Sequence, residues 1–512
     1  MHQSPCVVVI GAGVGGIAAA ARLAQLGCTV TVLEKHPAPG GRCGQIVRDG
    51  HRFDIGPTLL LMPELFRATY AALSERLEDH LHLRRIDPTY HIHFDDGSQL
   101  ALTGDLEALK PQLEAIEPGS FAALLRFLAE GDRHYRLSLR HFVGRDWSSL
   151  AEYLSPRNML RIVFELHALR RHYSALGDYF HDPRLRAAFS FQNMYLGLSP
   201  FDAPATYSLL QYTELADGVW FPQGGLYSVV ESLTQIAEAA GVRFVYGAPV
   251  DQIEVDGERA RGVRLQNGSR MTADVVVANA DLPYVYSQLL PDRTAARRLD
   301  RLEHTCSAFT FYWGVDRVYP QLGTHNVFLA GEYRASFDRI FRDHTLPDDP
   351  SVYVHAPARA DASAAPAGQD TVMALVPVGH LGAHRDWEML RARARAAVLR
   401  RLAQVGISDL EQHLKFEVCY APKTWAGLYN LSRGSAFGLS HGVWQVGYLR
   451  PRNRHARCRN LYFVGASTHP GGGLPMVLES ARLTTERIQA DLQIPAPVVN
   501  RRGARRPIAV AL

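Results

Sequence analysis

The chain has 512 residues, 47% hydrophobic and 21% charged, with a net charge of +4. That composition excludes a disordered chain and a disulfide-stapled miniature, and the near balance of charge argues against nucleic acid as the main partner. The length allows two to four domains or one large interleaved unit.

From Gln3 to Ala21 the sequence carries no charge, which is long enough to raise the question of a membrane span. Its interior order is wrong for lipid. Val7-Val8-Val9-Ile10 is β-branched, Gly11-Ala12-Gly13-Val14-Gly15-Gly16 follows, and Ile17 to Leu26 continues as an alanine-rich helix. Gly27 closes that helix, Thr29 to Leu33 reads as a second strand, and Glu34 ends it. This is G-x-G-x-x-G inside a βαβ start, with an acid at the right distance for a ribose. Gly11 allows the tight turn, Gly13 lets backbone approach a pyrophosphate, and Gly16 lets helix and strand pack closely. The helix N-terminus presents free N–H groups to phosphate, and Glu34 accepts from ribose hydroxyls while disfavouring a 2′-phosphate. The bland alternative is a glycine-rich packing turn.

Gly40-Gly41-Arg42 and Phe53-Asp54-Ile55-Gly56-Pro57-Thr58 come next. They read either as a flexible loop with one surface arginine, or as an arginine set on a phosphate and a second glycine segment admitting a flat ring. Residues 121–180 look mostly helical. Within them Leu160, Val163, Phe164 and Leu166 to Leu169 lie among Arg157, Arg161, Arg170 and Arg171. That pattern suits an ordinary amphipathic surface helix or an interfacial helix on a bilayer. Residues 242–280 alternate as strands, with turns at Asp256-Gly257 and Asn267-Gly268. Ala308 to Val315 sets Phe309, Phe311, Trp313 and Val315 on one face, either a sheet packed on its own core or an aromatic wall facing a substrate. Asn460 to Phe463 reads as a strand running into a glycine loop, and Met476 to Leu492 as a helix. The tail with Arg501, Arg502, Arg505 and Arg506 reads as solvated and flexible.

Only four basic residues are lysines (Lys35, Lys110, Lys415 and Lys423), so Schiff-base catalysis is disfavoured. None of the six cysteines pair as C-x-x-C, and a reducing, cytoplasmic setting is expected. A second G-x-G-x-x-G and a C-x₄-C pair are both missing, so a built-in nicotinamide domain or redox disulfide is not expected.

The G-G-R run and the D-x-G-P turn together resemble FAD proteins of the amine-oxidase-like superfamily. The run Gly465-Ala466-Ser467-Thr468-His469-Pro470-Gly471-Gly472-Gly473, with Ser480 beyond it, resembles the C-terminal signature of bacterial-type phytoene desaturases. Phe189-Ser190-Phe191, Gly218 to Pro222 with Gly224-Gly225, Asn279-Ala280-Asp281, Gly434 to Phe437 and Arg450-Pro451 with Asn453 follow the order of that carotenoid desaturase family. The resemblance spans about residues 5–492.

It implies an α/β fold with an α+β substrate part. A discontinuous Rossmann-like FAD-binding domain (1–75, 215–290, 440–495) interleaves with a substrate domain (76–214, 291–439). The substrate domain bears a helical, membrane-associated insert at about 121–180, and 496–512 is a flexible basic tail. Non-covalent FAD would rest on Gly11, Gly13, Gly15, Gly16, Glu34, Lys35, Gly41, Arg42, Gly56, Pro57, Thr58, Val250, Gly465, Gly473 and Met476. In the superfamily the G-G-R run follows the diphosphate and ribityl chain, the D-x-G-P turn lies near the isoalloxazine, and the segment at Pro249-Val250 packs near the adenine.

The implied reaction is desaturation of a carotenoid such as phytoene, with a hydride leaving to flavin N5 and a proton leaving the neighbouring carbon. No metal is implied, and the residue that takes the proton is not identifiable from spacing. Oxygen or a quinone would be the terminal acceptor. The protein would lie on the inner face of the cell membrane with its tunnel mouth at the bilayer. Alternatives on the same scaffold are a carotenoid oxygenase, isomerase or saturase. A flavin amine oxidase and a non-catalytic FAD-stabilised partner of other carotenoid enzymes are the more distant ones.

Overall fold

The computed structural model describes residues 4–147, 149–290, 292–382 and 385–495; the basic tail, 496–512, lies outside the described residues. The strands Cys6–Ile10 and Thr29–Leu33 form as expected, and the helix between them runs Val14–Gln25. They sit in a five-stranded sheet whose order is Leu461–Phe463, Val275–Ala278, Cys6–Ile10, Thr29–Leu33, Arg243–Val245. All four pairings are parallel, so distant parts of the sequence converge on one layer. Both faces of a parallel sheet must be covered. The helices Val14–Gln25, Tyr227–Ala239 and Leu474–Asp491 bury one face. A three-stranded antiparallel sheet (Val250–Asp256, Arg259–Leu265, Arg270–Thr272) buries the other. Its two turns fall where Asp256-Gly257 and Asn267-Gly268 place them. Ala18 to Ala21 are wholly buried, because their small side chains allow the first helix to be packed on nearly every side.

The second layer is a seven-stranded sheet in the order Leu414–Tyr420, Ser307–Val315, Asp370–Val378, Val352–His355, His325–Phe328, Tyr90–His93, Gln99–Leu102. Ser307–Val315 lies second in that order, and all nine of its residues are buried. Phe309, Phe311, Trp313 and Val315 pack under the helix Trp387–Gln404, with Leu390, Ala394, Val398 and Leu402. They form a core of the sheet's own and not an aromatic wall.

Residues 121–180 are helical but broken. The helix Ser120–Ser138 gives way to a wide five-residue turn at Leu139–Val143. Short helices Leu150–Tyr153 and Pro156–Leu160, a second wide turn at Arg161–Glu165 and the helix His172–Leu176 follow. Such i→i+5 turns rotate the faces that follow them. Ile162 and Leu166 point inward, whereas Leu160, Phe164 and Leu169 are exposed. Among the described residues no helix is long and apolar enough to cross a membrane.

Candidate active site

One cavity of about 950 Å³ runs between the two layers. At one end it is lined by the carboxyl edge of the parallel sheet and the loops beyond it, the usual ligand position in such sheets. Gly11, Gly13, Gly15, Glu34, Lys35, Gly41, Arg42, Gly56, Pro57, Thr58, Val250, Gly465, Gly473 and Met476 all line it. Gly16 does not; it lies one layer below. A Cβ there would fall 2.2 Å from the Gly11 carbonyl oxygen, so Gly16 holds the turn against the helix, as its place in the motif implies.

Two helices aim their N-termini into this end. The helix Val14–Gln25 starts after Gly13, and the helix Leu474–Asp491 starts after Gly473; neither has a side-chain cap. Their first-turn N–H groups have no partner within the helix, and each terminus carries roughly half a positive charge. The two meet closely, since a Cβ at Gly15 would lie 2.9 Å from Val477 Cγ1. Asn279 holds the junction. Its Nδ2 donates to the Val464 carbonyl at 3.0 Å, and a Cβ on Gly13 or Gly465 would come within 2.7 Å of its amide.

Glu34 is buried, with Oε2 accepting from the Ala12 N–H at 2.7 Å and Oε1 from the His36 N–H at 2.9 Å. Each oxygen keeps a lone pair for a ribose hydroxyl. Arg42 donates to the Ala436 carbonyl at 3.2 Å. Burial lowers its pKa, and the nearby Asp281 works in the opposite direction. Lys35 donates to Asn430 Oδ1 at 2.9 Å; burial lowers its pKa, against the pull of Glu34. Two uncapped helix termini, a guanidinium and an ammonium suit a diphosphate, and the Glu34 carboxylate suits a ribose diol. The residues present therefore fit a dinucleotide.

Several residues of the motifs read from the sequence hold the cradle in place, in roles that the motifs alone do not show. Asp54, in the D-x-G-P turn, does not reach the cavity. It accepts from the Leu226 and Tyr227 N–H groups at 2.9 and 3.0 Å, tying the turn to the start of the helix Tyr227–Ala239. Burial pushes its pKa up to about 6, against these two hydrogen bonds. Gly56 is small because a Cβ would meet the Arg42 carbonyl oxygen at 2.4 Å. Arg450 is buried and donates to the carbonyls of Thr468, Ser440, Gln445 and Ala466 at 3.0, 2.9, 3.1 and 2.6 Å. It clamps two wall segments together. Asn453 Nδ2 reaches the His469 carbonyl, Ser480 Oγ and Thr484 Oγ1, fixing the glycine loop on the last helix. Ser480 is wholly buried there, accepting also from the Gly465 N–H.

Beyond the cradle the walls turn apolar. Leu139, Phe142, Ile162, Leu166, Leu209 and Leu210 come from the helical region, and Ala308, Thr310, Met373, Leu375 and Pro377 from the seven-stranded sheet.

The description "Flavin containing amine oxidoreductase" matches residues 14–489. The chain is 51% identical over 488 residues to a zeta-carotene-forming phytoene desaturase of Myxococcus xanthus, covering 95% of this chain and 94% of that one. It is 45% identical to a phytoene desaturase of Neurospora crassa, covering 94% and 84%. Among solved structures, an oxidoreductase from Methanosarcina mazei shares the fold, with a TM-score of 0.64 at 17% identity over 94% of this chain and 100% of that one. The chain thus belongs to the flavin-containing amine oxidoreductases, groups there with the phytoene desaturases, and uses FAD as its cofactor.

Proposed function

We propose that this protein desaturates a carotenoid polyene such as phytoene, using FAD. The observation that carries this reading is the continuity of the cavity: a polar dinucleotide cradle opens without a partition into a long apolar channel. When bound, FAD supplies the two-electron acceptor for a hydride. The chain's own residues bind and orient. Arg42, Lys35 and the two helix termini take the diphosphate, Glu34 the ribose, and Val250 lies at the adenine end. Gly56, Pro57, Thr58, Gly465, Gly473 and Met476, which border the same cavity, would border the flat ring. Channel residues such as Leu139, Phe142 and Met373 hold the polyene against that ring and exclude water. A hydrocarbon offers little to hydrogen-bond, so position is set by shape. This reading divides the chain into an FAD-binding part (1–75, 215–290, 440–495) and a substrate part (76–214, 291–439).

Membrane association is part of the proposal. Phe164 is 67% exposed and Trp444 75%, with Leu150, Leu154, Leu160 and Leu169 also on the surface. The two segments carrying them touch where Tyr153 stacks on Tyr448. The same segments lend Tyr153, Ile162, Val443 and Val446 to the channel wall. Burial and then Arg161, Arg140, Arg157 and Arg145 lower the pKa of His141, which places four cations around one exposed corner. Apolar side chains in the acyl layer with arginines at anionic headgroups fit an interfacial docking face on the inner side of the cell membrane. A polyene passing from bilayer to channel then never crosses water. Reoxidation by oxygen or a quinone completes the cycle.

The test is expression in cells that accumulate phytoene, with chromatography of the pigments. Desaturated products are expected. Unchanged phytoene beside folded, FAD-loaded protein, or products that have gained oxygen, would overturn the reading.

A further inference from the structure

Removing two hydrogens from a carbon–carbon bond releases a proton as well as a hydride, and an apolar channel must put that proton somewhere. One wall holds a buried polar chain. Tyr90, on the strand Tyr90–His93, and Tyr195, in the turn Phe191–Leu196, both line the channel. Their hydroxyls are hydrogen-bonded to each other. Tyr195 then donates to Glu214 Oε1. With the Tyr195 hydrogen on Glu214, the Tyr90 hydroxyl is placed to donate to Tyr195 or to Glu214 itself, so protons moving along the three groups end on the carboxylate. Glu214 Oε2 accepts from Gln192 Nε2 at 3.1 Å, and Gln192 Oε1 accepts from Gln211 at 3.0 Å. Glu214 is 1% exposed and Tyr90 wholly buried, while Tyr195 is only partly covered.

The chain lies beside the cofactor loop. Thr58 Oγ1 is 2.7 Å from the Tyr353 hydroxyl, which is 2.7 Å from His325 Nδ1, and the His325 ring packs against Tyr90. Among the described residues no basic side chain is bonded to Glu214, and a buried carboxylate without one is costly to keep without a use.

We propose that Tyr195 and Glu214 form the proton-accepting site of the reaction, with Tyr195 meeting the substrate and Glu214 holding the proton. The inference rests on the desaturation reading. As the hydride leaves with its electron pair to the flavin, the C–H bond on the neighbouring carbon breaks. Its electron pair stays to form the new C=C bond. The proton forms an O–H bond at Tyr195 while Tyr195 passes its own proton to the Glu214 carboxylate. The substrate is oxidised by two electrons and the flavin reduced by two. Glu214 releases its proton to solvent before the next turnover.

Burial pushes the pKa of Glu214 up to about 7, against hydrogen bonds from Tyr195, Gln192 and Tyr90. The ionisable groups around the chain are Tyr90, Tyr195, Tyr353 and His325. Burial raises all three tyrosines and lowers His325, so these four stay neutral through the working range. Asp217, three residues on, faces Glu64, Asp132 and Arg85 instead. Glu214 is therefore the group whose charge changes near neutrality.

The experiment is anaerobic bleaching of enzyme-bound FAD by phytoene in liposomes, followed across about pH 5.5 to 8.5, the span on either side of the Glu214 transition. Wild type, Glu214→Gln, Glu214→Asp and Tyr195→Phe are compared at equal flavin content. The wild-type rate should fall as pH drops through about 7. Glu214→Gln should lose about 100-fold, the lower end for proton transfer by a positioned group, and lose the acid limb. Tyr195→Phe should be slowed as well, and Glu214→Asp should recover part of the rate with its limb intact. Equal rates and unchanged limbs in Glu214→Gln and Tyr195→Phe would overturn the proton site. A wild type that never bleaches would overturn the desaturation reading instead. If Glu214→Gln fails to load FAD, Tyr195→Phe and Glu214→Asp decide the matter by the same two readouts.

Discussion

Replacing Arg450 by Met would test whether the cavity wall is held by one buried cation. The guanidinium makes five hydrogen bonds to carbonyls of two segments, 439–445 and 466–468, and residues of both line the cavity. Hydrogen bonds involving a charged partner contribute about 1.5–3 kcal/mol each. Burial opposes them, lowering the pKa of Arg450 to about 10. Methionine removes the charge and all of these hydrogen bonds; of the carbonyls involved, that of Ser440 keeps Gln445 Nε2 as a donor. Breaking a buried charged network of this kind costs about 3–5 kcal/mol. If that loss falls on the order of the loop, FAD Kd rises about 10²- to 10³-fold, at 1.4 kcal/mol per factor of ten. Arg450→Lys keeps the charge, but one ammonium cannot span both segments, so it should recover only part. Flavin per chain after gel filtration, FAD titration by fluorescence quenching, and Tm with and without FAD measure the effect. Full flavin content in Arg450→Met, with Tm unchanged from wild type, would refute the reasoning.

Gly16→Ala puts a methyl 2.2 Å from the Gly11 carbonyl oxygen and should cost about 1–3 kcal/mol and most of the bound flavin. Gly427→Ala, in the helix Pro422–Tyr429 with nothing near its Cβ, should instead gain about 0.5–1 kcal/mol; equal Tm shifts would show that contact geometry is not the cause. Phe164→Asp combined with Trp444→Asp should reduce sedimentation with anionic liposomes by about tenfold or more while flavin content holds. Each apolar side chain buried in lipid contributes about 1.5–3 kcal/mol, and unchanged sedimentation would remove this face from the docking surface. The raised pKa of Glu214 also makes a stability prediction. The unfolded chain loses this proton near the ordinary carboxylate pKa, the folded one only near 7, so wild-type stability falls relative to Glu214→Gln as pH rises from about 5 to about 7. Parallel Tm curves for the two proteins over that range would contradict the assignment.

The cradle was legible because its determinants are local. Val7 to Gly16 encode strand, turn and helix within one short run, and Glu34 follows at a distance set by one βαβ unit. Gly465 to Gly473 was legible by resemblance to a family signature, and its geometry explains the glycines: Gly465 and Gly473 sit at φ of 117° and 94°. What remained hidden depends on contacts across long stretches of chain. Arg450 finds its acceptors only after the 466–468 turn folds beside it. Tyr90 and Glu214 are far apart in sequence and come together around Tyr195 only in the fold. Alternation on Ser307–Val315 showed two faces but not which one met a helix and which a cavity. The insert at 121–180 read as mostly helical, but the positions of its breaks did not show, because wide turns leave no proline or glycine within Leu139–Val143 or Arg161–Glu165.

The central sheet separates two tasks by odd and even positions. On Ser307–Val315, Phe309, Phe311 and Trp313 bind the helix Trp387–Gln404, while Ala308 and Thr310 border the channel. On Asp370–Val378, Val372, Ala374, Val376 and Val378 belong to the packed side, while Met373, Leu375 and Pro377 border the channel. A change of size at the second set alters the bore while leaving the helix-packed side alone, although Met373 and Leu375 also pack with Phe53 and Tyr312. Substrate range is therefore free to drift in single steps at Ala308, Thr310 and Pro377, whereas steps at Met373 and Leu375 also repack their contacts with Phe53 and Tyr312.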